Sequence, residues 1–219
     1  MKKYLITGCS RGIGMATVKL LLDGQGVSVI GTSTTGHCSV DHPDFRCYSL
    51  DLSSSKSIKE FSRKIAGTRI DVLINNAAVL LEKWNRTAID MEELRKTFNV
   101  NFFGTIEFTE QILNSVNEGG HIINISSEWG AFSELNFDAH QPHYKMSKTA
   151  LNMYTKLLSK RVEAKNITVS ALDPGWTQTN MGGSEAPRKP QDVAHEIVQL
   201  SKSEVPTGGF WHQGKIRQW

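Results

Sequence analysis

Short apolar runs alternate with helix-like stretches along the whole of this 219-residue chain, and the first changeover is a loop carrying three glycines. Residues 4–7 read as a strand, Thr7-Gly8-Cys9-Ser10-Arg11-Gly12-Ile13-Gly14 as the loop, and the residues through Leu22 as a helix. Further strands are expected at 27–30, 45–50, 71–74, 121–125, 167–172 and 209–211. Helices are expected at 53–66, 91–116, 144–164 and 191–201, with Phe98, Phe102, Ile106 and Ile112 facing inward on the longest. Strands separated by helices cannot pair as hairpins, so the pattern implies a parallel sheet wound in both directions. The expected fold is α/β, a doubly wound parallel sheet with helices on both faces, in a single domain spanning 1–219.

A glycine loop between a first strand and a helix has a chemical use. Glycine lets the backbone turn tightly and approach a pyrophosphate, while the helix N-terminus offers free N–H groups and a partial positive charge. The spacing is G-x-x-x-G-x-G, and its position in a Rossmann-type unit makes it a dinucleotide signal. Such units usually place an acid after the second strand to hold the ribose 2′-hydroxyl. Here that place reads Gly31-Thr32-Ser33-Thr34, with no carboxylate to repel a 2′-phosphate. Arg11 can pair with that phosphate through its planar guanidinium. NADPH is therefore expected over NADH.

Composition narrows the field. A net charge of +3, with the basic residues scattered, gives no footprint for nucleic acid. No run approaches the roughly 20 apolar residues needed to span a bilayer. Cys9, Cys38 and Cys47 form neither a disulfide framework nor a zinc pattern, which points to a reducing cytoplasm. His140 and His143 flank Pro142 in an expected loop and are read as ordinary polar residues, so no metal is expected. Cys9 is read as packing, with a redox-sensitive thiol as the alternative.

Tyr144-Lys-Met-Ser-Lys148 places a phenol and an ammonium on one helix face. A lysine charge about 4 Å away would favour the phenolate by about 4 kcal/mol at an effective dielectric near 20. That would move the phenol toward the range where a general acid works best.

Together with Asn75-Asn76-Ala77, Asn101, Ser126-Ser127 and Asp173-Pro174-Gly175, these residues resemble a short-chain dehydrogenase/reductase over nearly the whole chain. The stretch from Pro174 to Gly183 and the end from Gly208 to Trp219 resemble the C-factor-like carbonyl reductase subgroup. The resemblance implies that Tyr144 protonates the carbonyl oxygen. Lys148 would hold the nicotinamide ribose, Ser127 the substrate oxygen, and Asn101 a water linked to Lys148. It further implies cofactor contacts from Gly8, Ser10, Arg11, Gly12, Ile13, Gly14 and Ser33. Asp51 and Leu52 would frame the adenine, and Asn75 and Ala77 would line the adenosine ribose and support the sheet. Pro174, Gly175, Thr177 and Thr179 would hold the carboxamide and pyrophosphate. Family members often have glycine where this chain has Ala78, and the 128–143 loop is longer than usual. A pairing of the two long helices, giving a homodimer, is also implied.

Trp84, Trp129 and Trp176 fall after the fourth, fifth and sixth strands, with Leu80 nearby. An apolar substrate pocket follows, with a short substrate loop at about 176–190. The expected activity is NADPH-dependent reduction of a small hydrophobic ketone, aldehyde or quinone. The alternative is a cofactor-binding signalling protein with little turnover.

Overall fold

The computed structural model describes residues 1–133 and 137–219. Eight strands form one sheet in the order β3-β2-β1-β4-β5-β6-β7-β8. They are β1 (Lys2–Thr7), β2 (Val27–Ser33), β3 (Phe45–Ser49), β4 (Ile70–Asn75), β5 (Val116–Ile125), β6 (Thr168–Leu172), β7 (Gly209–His212) and β8 (Lys215–Ile216). All pairs are parallel except β7 with β8. The chain runs outward from β1 to β3 and then returns to pair β4 on the other side of β1. That reversal opens a crevice at the carboxyl ends of β1 and β4.

Both sheet faces are buried, which is why the strands read as near-continuous apolar runs. Along β1, Leu5 packs into one core and Tyr4 and Ile6 into the other. Helices α2 (Ser55–Lys64), α4 (Thr105–Ile112) and α5 (Pro142–Arg161) cover the Leu5 face through Ile58, Phe61, Phe108, Leu151 and Leu158. Helices α1 (Gly12–Leu22) and α6 (Pro190–Leu200) cover the opposite face through Val18, Leu21, Val193 and Ile197. Local signals set the helix starts where they exist. Ser54 accepts from the Ser57 N–H at the start of α2, and Asp90 accepts from the Glu92 and Glu93 N–H groups at the start of α3 (Met91–Phe98).

The helix expected over 91–116 is broken. After α3 comes a π turn, Asn99–Gly104, then α4, then a 3-10 turn, and Val116 already belongs to β5. The inward face differs accordingly. Thr97, Asn101, Thr105, Phe108 and Ile112 are buried, while Phe98, Phe102 and Ile106 are only half-buried. The polar residues can go inside because they find partners there. Thr105 donates to the Val100 carbonyl, and Asn101 bonds both backbone groups of Val79. Helix α5 begins at Pro142, so His143 is a fully buried helix residue and not part of a polar loop. Within the 128–143 loop, Glu128–Gly130 forms a 3-10 turn, and residues 134–136 lie outside the described residues.

Candidate active site

A cleft of about 490 Å³ lies over the carboxyl ends of the central strands. Its floor is the glycine loop. Gly8, Ser10, Arg11, Gly12 and Ile13 line it, and Gly14 sits beneath, packed on the Gly8 carbonyl. Gly8 and Gly12 have φ of +70° and +55°, the left-handed region that glycine enters without penalty. Arg11 is the N-cap of α1, but its side chain makes no cap and the first turn holds no acid. The free N–H groups of that turn therefore face the cleft with an unneutralised dipole, a ready site for a pyrophosphate. Arg11 itself is exposed, and forms no ion pair among the described residues.

Ser33 at the end of β2, Asp51 and Leu52 after β3, Ala77 and Leu80 after β4, and Pro174 and Thr179 after β6 also line the cleft. Thr7 Oγ1 accepts from the Asn76 and Ala77 N–H groups, locking β4 to β1. Asn75 is buried and donates to Thr109 Oγ1 and Asn124 Oδ1, so its side chain supports the sheet beneath the residues that line the cleft. Gly175 and Thr177 stand behind the lining. Gly175 has φ of +64° and donates its N–H to Asp173, and Thr177 donates to the Pro174 and Gly175 carbonyls. The 176–190 loop is pinned at its base by the Gln178 N–H on the Arg188 carbonyl.

Tyr144 forms part of the cleft wall, with Lys148 one turn behind it on α5. Lys148 is 2% exposed and donates from Nζ to the Ile125 carbonyl at 2.8 Å. Its ammonium lies 5.5 Å from the centre of the Tyr144 ring. Burial pushes the Lys148 pKa down to about 7. Burial, reinforced by the Asp173 charge, pushes the Tyr144 phenol up. The expectation that Lys148 would draw the phenol down is thus reversed, because burial outweighs a charge that is not in contact with the hydroxyl. Tyr144 consequently holds its proton at neutral pH. Asn101 sits in the π turn, a feature frequent at functional sites. Its amide also donates to Ser147 Oγ, tying it to α5. Ser127 Oγ accepts from the Trp129 N–H, which leaves the hydroxyl hydrogen free to donate.

The three tryptophans meet. Trp84 lies 5.9 Å from Trp129 and 6.0 Å from Trp176, centre to centre, and Trp129 stands edge-on to Tyr144 at 6.1 Å. Trp84 and Trp176 remain about half exposed. Aromatic surface is thereby held beside the phenol by three separate loops.

A family model described as short chain dehydrogenase matches residues 2–190. The chain belongs to the short-chain dehydrogenase family. The chain is 33% identical over 204 residues to mouse retinol dehydrogenase 13, covering 83% of this chain and 60% of that protein. It therefore spans less than two thirds of that relative. It is 28% identical over 167 residues to the C-signal of Myxococcus xanthus, covering 74% of this chain and all of that one. The carbonyl reductase Sniffer of D. melanogaster superposes with a TM-score of 0.88 at 29% identity, over 100% of both chains. The fold follows from the family.

Two features of the site have little trace in the sequence. Asn76 donates from Nδ2 to the Thr7 and Gly8 carbonyls, so it holds the glycine loop while lining the cleft. The C-terminal hairpin clasps the motif after β6. Buried Asp173 takes an ion pair from Arg217 and another from His212 at 3.0 Å, and the bond to Asp173 raises the His212 pKa. Only the asparagine run hinted at the first, and nothing in the sequence pointed to the second.

Proposed function

We propose that the chain reduces the carbonyl of a small hydrophobic ketone, aldehyde or quinone with NADPH, as one catalytic unit. The observation that carries this reading is a neutral, buried phenol, Tyr144, in the wall of a cleft floored by a glycine loop. The residues fit the dinucleotide. The uncapped α1 turn and the close backbone of Gly8 and Gly12 suit a pyrophosphate, and unpaired Arg11 suits a 2′-phosphate. Asp51, Leu52 and Ser33 would flank the adenosine, and Lys148, Pro174, Gly175, Thr177 and Thr179 the nicotinamide end. Bound NADPH would supply the hydride.

The chain's own groups do the rest. Ser127 donates to the substrate oxygen, and Tyr144 passes its proton to that oxygen as charge develops there. Asn101 holds the β4 loop against α5, and through a water it would connect Lys148 with solvent. Trp84, Trp129, Trp176 and Leu80 exclude water and receive the apolar body of the substrate. A protonated phenol is the form that reduction needs.

The test follows nicotinamide absorbance with NADPH or NADH and a panel of hydrophobic aldehydes, ketones and quinones. Turnover is expected with several, and NADPH is expected to bind more tightly than NADH. Arg11→Ala should weaken NADPH by about tenfold while leaving NADH within about twofold, as expected for loss of a charge-assisted phosphate contact. Tight NADPH binding with no turnover on any carbonyl would favour the signalling reading.

We also read the protein as a cytoplasmic homodimer joined through α4 and α5. Phe103, in the π turn that leads into α4, and Met153 and Leu157 on α5 expose apolar surface, and an isologous pair would cover it. Light scattering should give twice the 24.4 kDa chain mass, and a monomer mass would overturn the pairing.

A further inference from the structure

Helix α5 carries Tyr144 in its first turn, yet it lacks a cap of its own. Its N-cap residue, Gln141, has φ of +49° and makes no side-chain cap. The missing acceptor comes from elsewhere. Glu82, in the loop after β4, has a side chain with no solvent exposure and accepts from the His143 N–H at 2.6 Å. A buried carboxylate is tolerated only against compensating charge or dipole, and here it faces the positive end of α5.

His143 is equally buried. Its Nε2 accepts from the Asp90 N–H at 3.0 Å, so the ring hydrogen belongs on Nδ1, 3.3 Å from Glu82 Oε1. Around this pair the two segments are stitched together. Gln141 donates its N–H to the Arg86 carbonyl, and its amide to the Lys83 and Trp84 carbonyls. The same clamp therefore holds Trp84, of the aromatic wall, and Tyr144, the next residue after His143.

We propose that Glu82 is a positioning residue: by capping α5 from the β4 loop, it fixes the phenol of Tyr144 relative to the aromatic wall that receives the substrate. It touches neither substrate nor cofactor. Its loss lowers turnover of the carbonyl substrate and spares NADPH binding, because the phosphate contacts lie on the glycine loop and α1, and Lys148, the cofactor contact on α5, is held one turn further on by its own bond to the Ile125 carbonyl. The inference rests on the reading of Tyr144 as the acid.

The experiment compares Glu82→Ala and Glu82→Gln with the wild type. It reads amide exchange in the first turn of α5 by NMR, NADPH affinity by nicotinamide fluorescence, and kcat and KM on the carbonyl that the wild type turns over best. In Glu82→Ala, exchange at His143 should rise about tenfold and kcat/KM should fall about tenfold or more, with NADPH affinity within about twofold. Glutamine keeps an acceptor and loses the charge, so Glu82→Gln should sit between, with kcat/KM about threefold down. Wild-type protection in Glu82→Ala overturns the proposal, as does lost protection with unchanged kcat/KM. A fall in kcat/KM matched by an equal loss of NADPH affinity also overturns it. If Glu82→Ala does not fold, a Glu82→Gln variant identical to wild type in exchange and kcat/KM does the same. Wild-type turnover in Tyr144→Phe would remove the reading of Tyr144 alone, and the exchange arm would still decide whether Glu82 holds the helix start.

Discussion

Tyr144→Phe should lower kcat by about 10²–10⁴-fold, the usual range for a general acid. The change removes one hydroxyl and keeps the ring that stands edge-on to Trp129, so the wall of the cleft is preserved. NADPH affinity should stay within about twofold and the melting temperature within about 2 °C, because no core contact is lost. Steady-state kinetics with a preferred carbonyl, paired with a fluorescence titration of NADPH, measures both. A kcat within tenfold of wild type would mean that the proton comes from another donor. The buried, protonated state of the phenol sharpens the expectation. A hydroxyl that holds its proton across neutral pH serves as a donor, and phenylalanine has none to give.

Gly14→Ala should damage stability and cofactor binding together. A Cβ at Gly14 would lie 2.2 Å from the Gly8 carbonyl oxygen and 2.7 Å from Asn76 Nδ2. Neither neighbour can yield cheaply. The first is backbone of the loop itself, and the second is held by its bonds to the Thr7 and Gly8 carbonyls. Overpacking of this kind costs about 1–3 kcal/mol or more. For a domain of this size, that corresponds to a fall in melting temperature of about 2–12 °C. NADPH affinity should drop at least about tenfold, since α1 must move away from the strand whose loop it completes. Thermal melts with and without NADPH separate the two effects. A variant that binds NADPH like wild type would show that the close approach of helix and loop is not needed for the pyrophosphate.

The legible part of the fold was the part that rests on continuous apolar runs. Strands such as β4 and β6 are buried on both faces, so Val72-Leu73-Ile74 and Val169-Ser170-Ala171-Leu172 announce themselves without alternation. The π turn did not, because its residues keep an apolar pattern that extends smoothly into both neighbours. What places Asn101 inward is a pair of bonds to Val79, a residue 22 positions earlier, and no local pattern records it. The same limit explains His143. Pro142 looked like a loop residue, yet proline is favoured in a first helical turn, and the burial of its neighbour depends on Glu82 arriving from the loop after β4. In the site, the glycine loop and the placing of the three tryptophans were readable because they follow from strand order. The balance between Tyr144 and Lys148 was not, because burial decides it and sequence spacing carries no measure of burial.

The wide turn at 99–104 has a further consequence, for anyone who would make the protein more robust. Deleting one residue there would restore a regular helix and remove a geometrically poorer stretch, a change that stability alone would favour. It would also rotate everything upstream by about 100° relative to α4, taking Asn101 away from Val79 and Ser147. Gly104 sets the same conflict, since a Cβ there would meet the Leu52 carbonyl oxygen at 1.9 Å. Hardening of the scaffold and retention of the site thus pull in opposite directions at this one turn, and a screen for thermal tolerance alone would tend to select against the asparagine's position.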